Sequence, residues 1–159
     1  MGSPYHREFA SVRHMSYMWA DTLLAMERAH LLRLAAWGAT SVLVGTALLA
    51  WLVLRHHDSP LLRHFALQVV GWGGVDLSLA ALAQRSQTTR DIAGATRLDR
   101  LLWLNIGLDA GYVMVGITLA VTGWQLGRRL GLVGAGTGVV LQGGALALLD
   151  LMLAARISR

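Results

Sequence analysis

Four long apolar runs, separated by short polar segments, dominate the pattern of hydrophobic and polar residues along the chain. The runs cover residues 31–54, 61–83, 98–122 and 130–155. Each is long enough for a helix to cross the hydrocarbon core of a bilayer, which needs about 20 residues. The pattern therefore predicts an all-α, polytopic membrane protein in which four transmembrane helices form a bundle.

A different pattern precedes the first run. From Tyr5 to Met26, apolar residues recur at alternating spacings of four and three, with one polar gap and with charged residues on the opposite face. This spacing predicts an amphipathic helix over residues 1–30, with residues 31–159 forming the bundle. Such a helix either lies in the cytoplasmic headgroup layer, with Trp19 as an interfacial anchor, or docks on a partner subunit.

The basic residues indicate how the helices are oriented. All 14 are arginine: ten lie beside the first helix start, the middle loop or the C-terminus, and four lie in or beside the other two loops. The positive-inside rule therefore places both termini and the middle loop in the cytoplasm, with the bundle in a bacterial inner membrane. Trp51 and Trp124 then end the first and third helices as anchors at the outer interface.

The composition agrees with a membrane protein. Hydrophobic residues make up 55% of the chain and charged residues 14%, and the mean hydropathy is +0.50, which does not suit a soluble domain. The net charge of +5 comes from arginines beside the spans, so we expect no nucleic-acid partner. Membrane lipid, other integral membrane subunits and further copies of the chain are the expected partners.

Several kinds of chemistry lack the residues they need. The chain has no cysteine and no lysine, which excludes disulfides, thiol catalysis and Schiff bases. It also lacks a serine nucleophile elbow and a His-Glu-x-x-His motif, so we expect no enzyme. The histidines lie outside the predicted spans or at their edges, which argues against haem or chlorophyll ligation between helices, and no cofactor is expected.

One short loop carries several metal-binding residue types. His56, His57 and Asp58, with His64 nearby, are able to hold a metal ion at the membrane surface. Paired histidines in a polar loop are more often solvated, and we therefore predict no metal site.

Three carboxylates fall inside the predicted spans: Asp76, Asp109 and Asp150. At mid-bilayer each costs about 2.5 to 3.5 kcal/mol, so we expect them to face the bundle interior or a partner rather than lipid. A rise of about 1.5 Å per residue puts all three within about 10 Å of the midplane on its cytoplasmic side, in the same layer as Asn105 and Arg33.

The third helix divides most clearly into two faces. Asn105, Asp109 and Tyr112 share one face, and Gly107 and Gly111 share the opposite one. The polar side allows Asn105 and Tyr112 to hydrogen-bond Asp109. The glycine side lets another helix approach closely.

The fourth helix also carries small residues at helical spacing. Gly127 and Gly131 follow one row, and Gly134 and Gly138 follow another. Because lipid provides no hydrophobic drive for association between helices, such rows predict close-packing faces.

The intramembrane polar residues have two interpretations. In the structural one, Arg33 pairs with Asp150 or Asp76, and the polar network fixes which helices are neighbours. In the functional one, unpaired carboxylates take up and release protons or a cation along a path through the bundle.

A weak internal repeat is also present. Residues 42–45 (VLVG) recur 71 positions later as residues 113–116 (VMVG), and the pattern VVxxGG of residues 69–74 recurs 70 positions later in residues 139–144. If the repeat is real, two helical hairpins related by a pseudo-two-fold axis make up the bundle.

Two motifs carry a resemblance to a known family. They are His64-Phe65-x-x-Gln68-x-x-x-Trp72-Gly73-x-x-Asp76-x-x-x-Ala80 and Asn105-x-x-Leu108-Asp109-x-Gly111-Tyr112. Through them the chain resembles a small family of uncharacterised bacterial four-helix membrane proteins, over about residues 27 to 125. The resemblance implies the fold and nothing about activity. It leaves out the N-terminal segment and the fourth helix, which we interpret as adaptations to a particular partner.

Two functions follow as expectations. The first is a non-catalytic accessory subunit that packs against a larger respiratory, photosynthetic or transport assembly through its glycine faces and N-terminal helix. The alternative is a small proton- or cation-coupled transporter or channel, homo-oligomeric, that uses the intramembrane aspartates. A lipid or ligand sensor is a third interpretation, and it depends on the amphipathic segment alone.

Overall fold

The computed structural model describes residues 4–85, 87 and 92–157, with the backbone alone for residues 4–17 and 92–93. It contains four α-helices: α1 (Pro4–Leu54), α2 (Pro60–Arg85), α3 (Ile92–Gln125) and α4 (Leu130–Ile157). The described residues include no β-strand, and all four helices are long and apolar enough to cross a membrane. The predicted all-α, four-helix membrane architecture is confirmed.

The first helix runs without a break across residue 30 and is 51 residues long. At about 1.5 Å per residue it measures about 77 Å, more than twice the hydrocarbon thickness of a bilayer. No glycine or proline interrupts residues 5–37, so the segment predicted as a separate amphipathic helix continues the first membrane helix. The predicted apolar face of residues 5–17 lies outside the side chains that the structure describes.

The turn between α1 and α2 is capped on both sides. His56 adopts a left-handed φ of 48°, and the His57 N–H donates to the Leu52 carbonyl at 2.9 Å, as in a Schellman cap. Ser59 Oγ then accepts a backbone N–H of α2 at 3.4 Å, with Pro60 as the first helical residue. This is the favoured order of a serine N-cap followed by proline.

Gly127 lies in the turn between α3 and α4 and has a φ of 73°. α4 begins only at Leu130, and a Cβ at Gly127 would meet no atom within 4 Å. Gly127 therefore supplies the left-handed conformation that ends α3. This placement corrects its predicted role in a packing face of the fourth helix.

The helices form two antiparallel hairpins. α1 packs along α2, and α3 packs along α4. α2 and α4, which run in the same direction, touch at the centre of the bundle. α1 also touches α4, whereas α3 packs closely against α4 alone in the described part of the chain. A gap is therefore left between α2 and α3.

The two hairpins have the same helix packing. A Cβ at Gly45 of α1 would lie 2.7 Å from Val70 Cγ2 of α2, and a Cβ at Gly116 of α3 would lie 2.8 Å from Val140 Cγ2 of α4. Gly116 follows Gly45 by 71 residues, and Val140 follows Val70 by 70 residues. These are the offsets of the weak repeat in the sequence, so the structure supports that repeat.

A second pair of contacts repeats in the same way. A Cβ at Gly73 would lie 2.7 Å from Ser41 Cβ, and a Cβ at Gly143 would lie 3.3 Å from Tyr112 Cβ. Tyr112 and Gly143 stand at the same offsets from Ser41 and Gly73. A pseudo-two-fold axis along the bundle therefore relates the hairpins, as in transporters built from parallel repeats.

The contact between α2 and α4 follows the same symmetry. Three glycines of α4 lie directly against α2, in the pairs Gly131–His64, Gly134–Leu61 and Gly138–Gln68. Gly134 follows His64 by 70 residues, and Gly131 follows Leu61 by 70 residues, so the first two pairs are equivalent to each other. Gly138 follows Gln68 by 70 residues, so the third pair is equivalent to itself. Gly131, Gly134 and Gly138 thus pack against a neighbouring helix, as the small-residue spacing predicts.

Burial is distributed as lipid requires. The residues buried between helices are mainly alanine, glycine and a few polar side chains, whereas most large leucine and valine side chains on the outer faces are exposed. Gln142 and Asp76 are the largest fully buried side chains. This distribution is unfavourable in water and suits a bilayer, where outward leucines contact acyl chains.

Candidate functional site

The gap between α2 and α3 opens into a cavity of about 470 Å³ that all four helices line. It begins at Trp72 and Tyr112 and extends toward the end of the bundle where residues 86–91 connect α2 to α3, here called the middle-loop end. Its polar lining residues are His30, Asp76, Asn105, Asp109, Tyr112 and Asp150. Five of the six residues predicted as an intramembrane polar group thus line one cavity.

Asp76 is the most buried acid of the cavity, with 1% of its surface exposed. α2 carries it one turn after Trp72, and its Oδ2 atom has no hydrogen-bond partner among the described residues. A buried carboxylate oxygen without a donor is costly in a medium of low polarity. The position is therefore suited to a proton or to a ligand that donates to this oxygen.

Asp109 lines the same cavity from α3 and is 6% exposed. α3 comes close to α4 at this level, because a Cβ at Gly143 would lie only 3.0 Å from the Asp109 carbonyl oxygen. Negative charges on Asp76, Asp109 and Asp150 would repel one another inside one cavity of low dielectric. A bound cation or a proton relieves that repulsion.

His30 and Asp150 make a polar contact between α1 and α4. His30 Nε2 lies 3.2 Å from Asp150 Oδ1, and both residues are buried. His30 Nδ1 has no hydrogen-bond partner in the described structure. The sequence interpretation assigned His30 to the N-terminal segment, although its spacing of seven from Trp37 and eleven from Ser41 puts it on their face of the helix.

Arg33 lies apart from these carboxylates. It lines a separate, open hollow of about 350 Å³ between α1 and α4, and no ion pair joins it to Asp76 or Asp150 among the described residues. The shorter imidazole of His30, one turn earlier, occupies the place beside Asp150. The expected pairing of Arg33 is thereby corrected.

Trp72 and Tyr112 close the cavity near the middle of the bundle. Their ring centroids are 5.0 Å apart with the planes at 63°, an edge-to-face contact across the gap between α2 and α3. Neither Asn105 nor Tyr112 hydrogen-bonds Asp109 in the described part of the chain. The predicted network on this face of α3 is therefore not formed, and Asp109 remains available to a ligand.

Gln142 is the centre of a polar network between helices. The Trp37 indole N–H donates to Gln142 Oε1 at 2.7 Å, and Gln142 Nε2 donates to Ser41 Oγ at 3.1 Å and to the Val69 carbonyl at 3.5 Å. These bonds join α4 to both α1 and α2. Sequence reasoning missed this residue, although Gln142 is the one amide in the fourth apolar run.

The pseudo-two-fold axis makes two sides of the bundle comparable. Gln142 and Ser41 on one side correspond to Trp72 and Tyr112 on the other, at offsets of 70 and 71 residues. The first pair is a hydrogen bond between α4 and α1, and the second is an aromatic contact between α2 and α3. α1 packs against α4, whereas α3 does not pack closely against α2 in the described structure. The cavity lies between α2 and α3.

The predicted tryptophan anchors are all exposed. Trp19, Trp51 and Trp124 lie on outer surfaces of the bundle. The Trp51 ring lies 5.6 Å from the His57 ring, and the Arg128 guanidinium lies 5.0 Å from the Trp124 ring centroid, as in a cation–π contact. Trp51 and Trp124 lie near the C-terminal ends of α1 and α3, whereas Trp19 lies within the continuous α1.

Gly107 and Gly111 have an unoccupied face. Both are exposed, and a Cβ at either position would meet no atom within 4 Å. They differ from Gly131, Gly134 and Gly138, which pack against α2. Within this chain, the glycine face of α3 therefore contacts no helix in the described structure.

The short turn with His56, His57 and Asp58 is exposed. His64 lies instead against Gly131, with its Cδ2 atom 3.1 Å from the position of a Cβ there. No three His, Asp or Glu side chains in the described ranges are grouped to hold a metal ion.

Together, the fold and the cavity define a polytopic helical membrane protein of two repeated hairpins with an acidic intramembrane cavity. The chain belongs to a family of unknown function, DUF6992, whose model matches residues 33–151. The match includes the three cavity aspartates and most of α4, so the fourth helix belongs to the family although the sequence motifs end before it. No curated protein and no solved structure matches the chain.

Proposed function

We propose that this protein binds protons or a small cation in the α2–α3 cavity and moves them across the membrane as a small transporter or channel. The observation that carries the proposal is the convergence of Asp76, Asp109 and Asp150 on one cavity. Each carboxylate costs about 2.5 to 3.5 kcal/mol at mid-bilayer unless it is neutralised. A proton or a cation bound at this site neutralises the carboxylates and so offsets this cost.

The charges of the cavity do not cancel within the described residues. His30 pairs with Asp150, while Arg33 lines a different hollow. Asp76 and Asp109 thus have no cationic side-chain partner in the described structure, although both are buried. Protons or a bound cation supply the missing positive charge.

A purely structural role fits these acids less well than it fits Gln142. Both polar ends of the Gln142 amide have hydrogen-bond partners on neighbouring helices, as expected of a residue that holds a bundle together. Asp76 lacks a partner for Oδ2 and lies beside open volume. Groups left unpaired next to a cavity are typical of sites that take a ligand.

With the orientation that the arginines predict, the middle-loop end of the cavity faces the cytoplasm of a bacterial inner membrane. Positive charge then enters or leaves through the cytoplasmic half, and Trp72 and Tyr112 separate the cavity from the outer half. Transport requires this aromatic contact to open, and the repeated hairpins provide two bodies that can move against each other.

Flux through reconstituted protein tests the proposal. Proteoliposomes with a pH-sensitive dye inside are given a potassium diffusion potential, and uptake of protons, or of sodium by a sodium dye, is measured. We expect flux in the native protein and its loss in Asp76→Asn and Asp109→Asn. Asp58→Asn, at an exposed acid in a loop, is the matched control. Native protein without flux, or full flux in both cavity variants, would refute transport.

The glycine face of α3 favours a second candidate, an accessory subunit of a larger membrane assembly. Gly107 and Gly111 form a small-residue row that nothing in the described structure covers, and such rows let membrane helices approach closely. Purification with lipid retained, followed by mass spectrometry, is expected to recover companion chains or a homo-oligomer. Gly107→Leu is expected to release them, and Gly144→Leu, at another exposed glycine, is the control.

A further inference from the structure

We infer that the α2–α3 cavity takes an organic cation with an apolar body, such as a protonated arylalkylamine, rather than a bare metal ion. The inference rests on the proposed cation-binding function of the cavity and narrows it to a ligand class. It depends on four properties of the cavity: its volume, its lining, the unpartnered Asp76 Oδ2 atom and its place in the repeat.

The volume suits an organic molecule. At about 470 Å³, the cavity falls in the range of roughly 300 to 1,000 Å³ that is typical of pockets for small organic ligands. A bare metal ion instead needs several oxygen or nitrogen ligands that converge at short distances. No three His, Asp or Glu side chains in the described ranges have that arrangement.

The lining combines apolar side chains with acidic ones. Leucines dominate the lining and come from all four helices, so they can surround an apolar body. Asp76 and Asp109 provide negative charge from α2 and α3. Trp72 and Tyr112 add aromatic rings at one end, and such rings attract cations held close to their faces.

One buried atom identifies where a charged head would bind. Asp76 Oδ2 lacks a hydrogen-bond partner in the described structure, and Asp76 is more than nine-tenths buried and lines the cavity. An ammonium N–H can donate to Asp76 Oδ2 in a charge-assisted hydrogen bond. A ligand of this class thus satisfies a group that the protein leaves unpaired.

The acids of the cavity are not part of what the two hairpins share. Leu146 stands at the position of α4 equivalent to Asp76, and Gly38 stands at the position of α1 equivalent to Asp109. On that equivalent side, α1 packs against α4 through Gln142, and the cavity of about 350 Å³ described there is lined by Arg33 and by no acid. The acids and the open volume therefore occur together on one side of a bundle whose two halves otherwise pack alike.

The cavity also has an apolar approach. α2 and α3 do not pack closely against each other in the described structure, and Leu79, Leu101 and Leu108 line the cavity while remaining largely exposed. With four membrane-spanning helices, these leucines border lipid. A cation with an apolar body, which concentrates in the bilayer interface, can reach Asp76 by this side.

Binding of two matched probes tests the inference. Full-length protein in lipid nanodiscs is titrated calorimetrically with 2-phenylethylamine, which is cationic at neutral pH, and with 2-phenylethanol, its neutral analogue; empty nanodiscs provide the baseline. We expect saturable binding of the amine alone. Equal binding of the two probes, binding of neither, or displacement of the amine by millimolar sodium chloride would overturn the inference.

Two variants locate the site. Asp76→Asn is expected to weaken amine binding by about tenfold to a hundredfold, the loss expected for one buried charge-assisted hydrogen bond, and Asp58→Asn is expected to leave it unchanged. Leu79→Trp fills the cavity without changing its charge and is expected to abolish binding, with thermal unfolding checking that it folds. Undiminished binding in both Asp76→Asn and Leu79→Trp would place the amine elsewhere.

The flux assay separates this inference from the proposed function. Proton or sodium flux that depends on Asp76, without amine binding, would leave the proposed function standing and remove the inference. Amine binding that depends on Asp76, without any flux, would support the ligand class and remove transport.

Discussion

Trp37 of α1 donates its indole N–H to Oε1 of Gln142 of α4 across 2.7 Å. The same amide donates to Ser41 on α1, so two bonds fasten the first helix to the last near the centre of the bundle. No covalent or loop connection keeps these two helices together, since the whole of α2 and α3 lies between them in the chain.

Replacing this amide should loosen the bundle. Gln142→Leu keeps the volume but leaves the indole N–H without an acceptor, and we expect a loss of about 1 to 2 kcal/mol, given about 0.6 to 1.7 kcal/mol for interhelical hydrogen bonds in membranes. Unfolding of the detergent-solubilised protein, followed by circular dichroism, measures the change. Gln84→Leu, at an exposed position, serves as control; equal stability of the two variants would contradict the role given to Gln142.

Alanine in place of the packed glycines should destabilise the bundle, and alanine in place of the exposed glycines should stabilise it. A Cβ at Gly134 would overlap the Leu61 backbone, whereas a Cβ at Gly107 would meet nothing and gains about 0.8 to 1 kcal/mol of helix propensity. Gly134→Ala is expected to unfold more readily than the native protein in the same assay, and Gly107→Ala less readily. The opposite order would show that the helices pack differently.

The repeat predicts equal effects at equivalent positions. Gly45 and Gly116 contact Val70 and Val140 at nearly the same distances, so Gly45→Ala and Gly116→Ala should destabilise the bundle by similar amounts, within about 0.5 kcal/mol of each other. Chemical unfolding of the two variants side by side provides the comparison. A large difference between the two losses of stability would mean that the hairpins share a backbone arrangement but not the same side-chain packing.

His30 and Asp150 should be energetically coupled. Because His30 Nε2 lies 3.2 Å from Asp150 Oδ1, Asp150→Asn is expected to cost more in the native background than in His30→Gln, with a coupling energy of about 0.5 to 3 kcal/mol. A double-mutant cycle of unfolding free energies measures it. The matching cycle with Arg33→Gln should give no coupling, and coupling to Arg33 instead of His30 would reverse the assignment.

The orientation can be read by chemical labelling, because the chain has no cysteine of its own. Single cysteines at His57 and at Gln87 lie in loops at opposite ends of the bundle. If the termini are cytoplasmic, a membrane-impermeant maleimide added to intact cells should label Asp58→Cys or His57→Cys and spare Gln87→Cys. Disruption of the cells should expose the latter; the reverse result would invert the protein in the membrane.

The sequence is sufficient to predict the helices and much of the cavity, because both follow from one-dimensional patterns. Twenty-residue apolar runs define the spans, and the cost of burying Asp76, Asp109 and Asp150 predicts that they turn inward. Sequence spacing does not reveal which side chains on neighbouring helices meet. The expected pairing of Arg33 with an aspartate and the expected hydrogen bond of Tyr112 to Asp109 therefore differ from the structure. Hydropathy alone sets the predicted start of the first span, and this leaves His30 outside the span. The predicted glycine row of the fourth helix includes Gly127, because spacing alone does not show that a turn separates Gly127 from that helix.

The symmetry of the hairpins has a consequence for how such a chain could arise. Each hairpin is closed by a short turn of its own, and only residues 86–91 join one half to the other. A single hairpin of this kind would carry, on its second helix, the surface needed to meet a second copy of itself along Gly138 and its equivalent Gln68. Gene duplication and fusion would then have allowed the two halves to diverge. α1 now packs against α4, whereas α3 leaves a ligand-sized cavity beside α2.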